Sequence, residues 1–104
     1  MVRVLDGDTF VIAPGEHVRI LYIDTAEMSP RADCAREAAL ALQAKARLRT
    51  LLKDGEMELV RRGRDQGRYG RLLRRVQVGE QDVGVVLVHE GLAQPWRGHN
   101  AEWC

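Results

Sequence analysis

Apolar and polar positions alternate through the first third of the chain, and turn residues break the pattern twice. Val2, Val4 and then Phe10, Ile12 mark one face on either side of Asp6-Gly7-Asp8, and Pro14-Gly15-Glu16 makes a second break. Period-two alternation bounded by Asp-Gly and Pro-Gly predicts strand, turn, strand, turn, strand. The third strand, "HVRILYID" at residues 17–24, carries apolar residues on both faces, as expected of a strand buried on both sides or strongly curved. After a loop punctuated by Pro30, the period becomes helical over residues 35–53. There Ala38, Ala41, Ala44, Leu48, Leu51 and Leu52 form one stripe in a segment of good helix formers. Asp33 is the predicted cap, and Asp54-Gly55 ends the helix. Residues 56–61 and 71–78 read as two further strands. Residues 82–91 are rich in valine, which favours strand. However, Asp82 suits a cap, Val83, Val86 and Leu87 share a helical face, and Gly91 suits a terminus, so a short helix is predicted. From about residue 95 the tail has no periodicity and is expected to be irregular.

Five strands with a helix between the third and fourth is the element order of an OB-type barrel. The expected fold class is therefore α+β, mainly β: a five-stranded OB-fold barrel with two to three helices, in a single domain over residues 1–104. A length of 104 residues suits one modest core, and 45% hydrophobic with 30% charged residues is the composition of a globular domain. Apolar runs such as "VGVVLV" are far too short to cross a bilayer, so no membrane partner is expected. The domain is expected to act as a monomer.

Charge changes this picture because it is unevenly spread. Net charge is only +1, yet residues 61–75 hold seven arginines against the single acid Asp65, a local balance of +6. Residues 1–33 lean the other way, with six acids against three arginines. Solvated side chains account for most surface arginines, but a cluster of them suits bidentate phosphate contacts. Arg19 is more informative, since an arginine among apolar neighbours in mid-strand needs a partner or a ligand. Asp8, Asp24 and Glu27 fall near strand ends, where converging carboxylates would make a hard-oxygen site for Ca²⁺ or Mg²⁺. For Asp6 and Asp8 singly, turn chemistry is the simpler reading. Arg19 and Asp24 differ by five positions, so a flat strand would point them to opposite faces unless it curls or breaks. His17, His89 and His99 show no ligand spacing and read as surface or structural.

Cys34 and Cys104 are far apart and lack metal-type spacing. They are either one disulfide tying the tail to the body or two unrelated thiols. An exposed free thiol at Cys104 would be a liability, which favours the disulfide and, if a leader precedes this chain, an exported protein.

The segments "LDGDTF", "RILYIDTAE", "DQGRYGR" and "VLVHEGLA", in this order and at this spacing, resemble the staphylococcal nuclease-like (thermonuclease) family from Val4 to about Trp96. The resemblance implies a five-stranded OB-fold barrel with helices and Ca²⁺-dependent hydrolysis of DNA and RNA. It implies calcium ligation by the carboxylates of Asp8 and Asp24 and the backbone carbonyl of Thr25, with another divalent cation as the alternative. Glu27 matches the family's water-activating base. Arg19 and Arg71 match its two arginines on the scissile phosphate. Arg68 and Tyr69 match a lysine and a tyrosine that contact the other phosphate. Ala26 stands where the family commonly has proline, and the tyrosines it places after "GLA" are missing, leaving Trp96 as the base-stacking surface. The rival expectations are an inactive OB module that binds single-stranded nucleic acid or a protein partner, and a structural calcium domain. An inactive module is expected to have lost part of the acid and arginine set, which this sequence retains in full, and a structural calcium domain leaves both arginines unexplained.

Overall fold

The alternating N-terminal third forms a three-stranded antiparallel unit: β1 (Arg3–Val4), β2 (Thr9–Ile12) and β3 (Glu16–Ile20). This is a computed structural model, which describes residues 2–99 and 101–104; Met1 and Asn100, both within the predicted domain, lie outside the described residues. Phe10 lies opposite Val18, and both are fully buried. A period of two then commits Val4 and Ile20 to the same inner face. After the helix come β5 (Met57–Val60) and β6 (Leu72–Val78). β6 pairs antiparallel with β5 and parallel with β3, so the five main strands run in the order β1-β2-β3-β6-β5. This is the OB-type architecture expected, with two helices among the described residues.

The helix α1 (Ala35–Leu52) covers the barrel with Ala41, Ala44, Leu48, Leu51 and Leu52. Two details of the sequence reading are corrected. The cap is Cys34, whose sulfur accepts from the Glu37 N–H at 3.4 Å, while the Asp33 N–H donates to Glu37 Oε1 at 2.8 Å. The buried position in the first turn belongs to Glu37, and Ala38 is only half-buried. The second helix, α2 (Val83–His89), is capped by Asp82 and followed by Gly91 in the left-handed region, as its sequence suggests.

The third predicted strand is in fact two. β3 stops at Ile20, and a separate two-residue strand, β4 (Ile23–Asp24), pairs with β8 (Gln94–Pro95) in the tail expected to be irregular. Between them Tyr22 takes a left-handed backbone, φ 70°. Bulky residues rarely do so. Both ends of this turn are fixed, by Leu21 N–H to the Arg74 carbonyl at 2.9 Å and by Trp96 N–H to the Tyr22 carbonyl at 2.8 Å. The break resets the side-chain phase, which is how Asp24 reaches the same side as Arg19. A two-residue β7 (Gln81–Asp82) extends β6 into α2, and a disulfide joins Cys34 to Cys104.

Candidate active site

The turn between β1 and β2 rests directly on α1. A Cβ at Gly7 would meet Ala44 Cβ at 2.7 Å, so only glycine permits this approach. The contact fixes Asp6 and Asp8 at one end of the barrel. Asp6 accepts from the Asp8 N–H at 3.0 Å. Asp8 accepts from the Thr9 hydroxyl at 2.9 Å and forms an ion pair with Arg19 at 3.5 Å. Arg19 also donates to the Ile20 carbonyl at 2.7 Å, which holds its guanidinium against the strand end.

Asp24 and Glu27 come from the chain just past the break. Asp24 Oδ2 accepts from the Ala101 N–H at 2.7 Å, so the tail crosses back onto it. The Glu27 N–H donates to Glu37 Oε2 at 2.8 Å. One carboxylate in the first turn of α1 thereby holds both Glu27 and Asp33. Arg71 enters from the loop before β6, 3.5 Å from the Thr9 hydroxyl and with its ring-facing guanidinium 5.9 Å from Tyr69. Its Nε is buried and has no hydrogen-bond partner among the described residues. A buried donor left unmatched costs free energy, so an anion arriving there gains by satisfying it.

These groups share one cleft of about 860 Å³, lined by Asp8, Arg19, Asp24, Glu27, Tyr69, Arg71 and Trp96. Thr25 is buried next to Asp24 without lining the cleft, and Arg68 is exposed outside it. Three charged lining residues, Asp6, Arg31 and Arg64, and the aromatic Tyr22 have no functional role in the sequence reading. Glu37 has none either, although it stands in helical phase with Ala41, Ala44 and Leu48. An acid on an otherwise apolar face is the signal that marks it.

The electrostatics of the cleft are those of crowded acids. Burial, then the charge of Asp8, pushes Asp6 up to about 7. Burial also raises Asp24, against the opposing hydrogen bond from Ala101. Glu27 is raised by burial and next by Asp8, with Arg31 pulling the other way. The donors are all hard oxygens and they repel one another, and that chemistry fits a hard divalent cation. Among the described residues no three His, Cys, Asp or Glu side chains already stand at metal-binding separation. Asp8 is engaged by Arg19, and Asp24 by the tail.

The chain is thus an OB-fold protein whose barrel end sets clustered carboxylates beside two arginines. Residues 17–102 match the family described as staphylococcal nuclease homologue, and the chain belongs to that family. It is also 35% identical over 96 residues to Endonuclease YncB of Bacillus subtilis (strain 168). That match takes in 88% of this chain and 44% of the relative, so the chain spans less than half the relative's length.

Proposed function

We propose that this protein is a nuclease that hydrolyses phosphodiester bonds of DNA or RNA by attack of water, with a divalent cation, calcium being the expected one. The observation that carries the reading is the meeting of Arg19, Arg71, Asp8, Asp24 and Glu27 in one cleft, with the buried Arg71 Nε lacking a partner. Family membership and the endonuclease relative support it.

A phosphodiester enters as an anion and gains negative charge as water attacks phosphorus. Arg71, with its planar fork and unmatched Nε, takes one non-bridging oxygen, and Arg19 steadies the same group from β3. Arg19 would release its ion pair with Asp8 as Asp8 takes the cation, which frees the guanidinium for the phosphate. The Glu27 carboxylate orients the water and takes its proton as the new P–O bond forms; the old P–O bond breaks with its electron pair going to the leaving oxygen, which takes a proton from solvent. Its raised pKa brings it closer to neutral and makes it a better proton acceptor. Asp8 and Asp24, with the Thr25 backbone carbonyl, would hold the cation, which when bound would neutralise phosphate charge and lower the pKa of water. Tyr69 and Trp96, both exposed at the rim, offer stacking surfaces for bases. The disulfide supports a location in an oxidising compartment.

The test is breakdown of single-stranded DNA with Ca²⁺, with chelator, and by Glu27→Gln. Cleavage that needs the cation and falls by about 100-fold or more in the variant is expected, the usual scale for a general base. Equal cleavage with chelator would sink the cation's role. Binding without cleavage in every lane would turn the protein into a binding module.

A further inference from the structure

On the other side of Tyr22 from the cleft lies a second, mainly apolar groove of about 370 Å³, walled chiefly by Leu21, Tyr22, Ile23, Val85, Val88 and Pro95. Residues 21–23 line both spaces, so Tyr22 stands on the divide between them. Its ring is held as a platform. Arg75 lies 5.5 Å from the ring centroid, and Asp82 grips Arg75 through Nε at 2.9 Å and Nη2 at 2.6 Å. Asp82 is itself fixed as the cap of α2, accepting from the Val85 N–H at 3.1 Å. The backbone beneath the ring is left-handed and pinned to Trp96, a costly arrangement for a tyrosine that remains 53% exposed. Tyr22, Tyr69 and Trp96 are the exposed aromatics among the described residues, and all three line the cleft.

We propose that Tyr22 is a base-stacking platform and that the apolar groove behind it receives a nucleobase of the strand whose phosphate lies in the cleft. The inference rests on the nuclease reading and extends it to residues that have no role there. A single strand places a flat apolar base next to each phosphate, so a phosphate held by Arg19 and Arg71 delivers a base to an adjoining surface. The groove suits that guest, being mainly apolar, with the paired Arg75 and Asp82 and with His89 at its wall, and it adjoins the charged cleft at residues 21–23. Arg75 sits on the ring and, neutralised by Asp82, presents no free charge to repel or misdirect the base. Stacking is tolerant of base identity, because every base has a π-face. The site therefore contributes affinity and register with little sequence preference.

The experiment is binding of fluorescein-labelled oligothymidylate in chelator, by anisotropy, to the wild type, Tyr22→Asn and Val85→Trp. Asparagine tolerates the left-handed backbone, so Tyr22→Asn removes the ring without adding strain. Val85→Trp fills the groove from an exposed position on α2. Both variants are expected to raise Kd by about 5- to 100-fold, the worth of one stacked base. An oligomer with abasic sites next to each phosphate should bind the wild type and Tyr22→Asn alike. Calcium-dependent hydrolysis of bis(p-nitrophenyl) phosphate, which is too small to span both spaces, should be unchanged. Oligothymidylate binding within about twofold of wild type in both variants would overturn the subsite, as would an equal loss with the abasic strand. If the wild type cleaves DNA and these variants bind normally, only the subsite falls. If the wild type neither binds nor cleaves, the nuclease reading falls first and takes the subsite with it.

Discussion

Asp6 shows how little a residue type says before its surroundings are known. In the sequence it is an ordinary turn aspartate, and it does serve the turn by accepting from the Asp8 N–H. Burial beside Asp8 then carries its pKa from 3.8 to about 7. The direction of the pH effect follows. Below about pH 4 the folded and unfolded chains both keep the proton. Between there and pH 7 the unfolded chain releases it while the folded chain retains it, so folding stability falls as pH rises through this window. Asp6→Asn keeps an acceptor oxygen and removes the titration. In chelator, thermal melts should show the variant above the wild type by about 4–8 °C at pH 8, the shift that roughly 1 kcal/mol produces in a domain of this size, the group being partly solvated. The two should converge at pH 4, and parallel curves across that range would mean that Asp6 ionises normally.

At the scale of elements, the helices were legible and the strand break was not. α1 announced itself through its stripe, and α2 through Asp82 and Gly91, because a helix is specified by residues close in sequence. The split of β3 from β4 depends on partners from elsewhere: Arg74 on one side and Trp96 on the other. Nothing in "HVRILYID" names them. α1 also does more than cover the barrel, since Glu37 in its first turn ties down the loop that carries Glu27. Ala26 occupies the place of the family's usual proline, and the Glu27 N–H is held by Glu37 instead. Glu37→Ala should destabilise the fold by about 1–3 kcal/mol, since the Glu27 and Asp33 amides lose the partly buried carboxylate that accepts from them. It should also lower kcat for DNA cleavage by about 10-fold with KM little changed, because a displaced general base costs turnover more than binding. Urea denaturation and steady-state kinetics check the two parts separately. A normal kcat would free Glu27 from dependence on α1.

The whole molecule is closed by its tail. The Cys34–Cys104 link joins the start of α1 to the end of the chain, 70 residues apart, and between them Ala101 reaches Asp24. A loop of this length contributes up to about 4 kcal/mol in the chain-entropy account. Cys104→Ser leaves the sulfur cap of α1 in place and should lower stability by about 2–4 kcal/mol, read by denaturant unfolding against the oxidised wild type. Reduced wild type should match the variant. If oxidised and reduced protein unfold at the same midpoint, the tail adds nothing to the fold.

The sequence by itself determined the helices, most of the barrel's strands, the uneven charge and the acids and arginines proposed for the site, because alternation, helical period and local motifs are written within a few positions of one another. Its motifs also carried the family. What only the tertiary structure decided were relations between distant residues. The left-handed turn at Tyr22 puts Arg19 and Asp24 on one side despite their odd spacing. Glu37 is placed beneath the loop that carries Glu27, Asp6 is pressed against Asp8, and an apolar groove opens behind an exposed ring. Each depends on contacts between segments tens of residues apart, where burial and close approach, rather than local preference, set the conformation and the charge state.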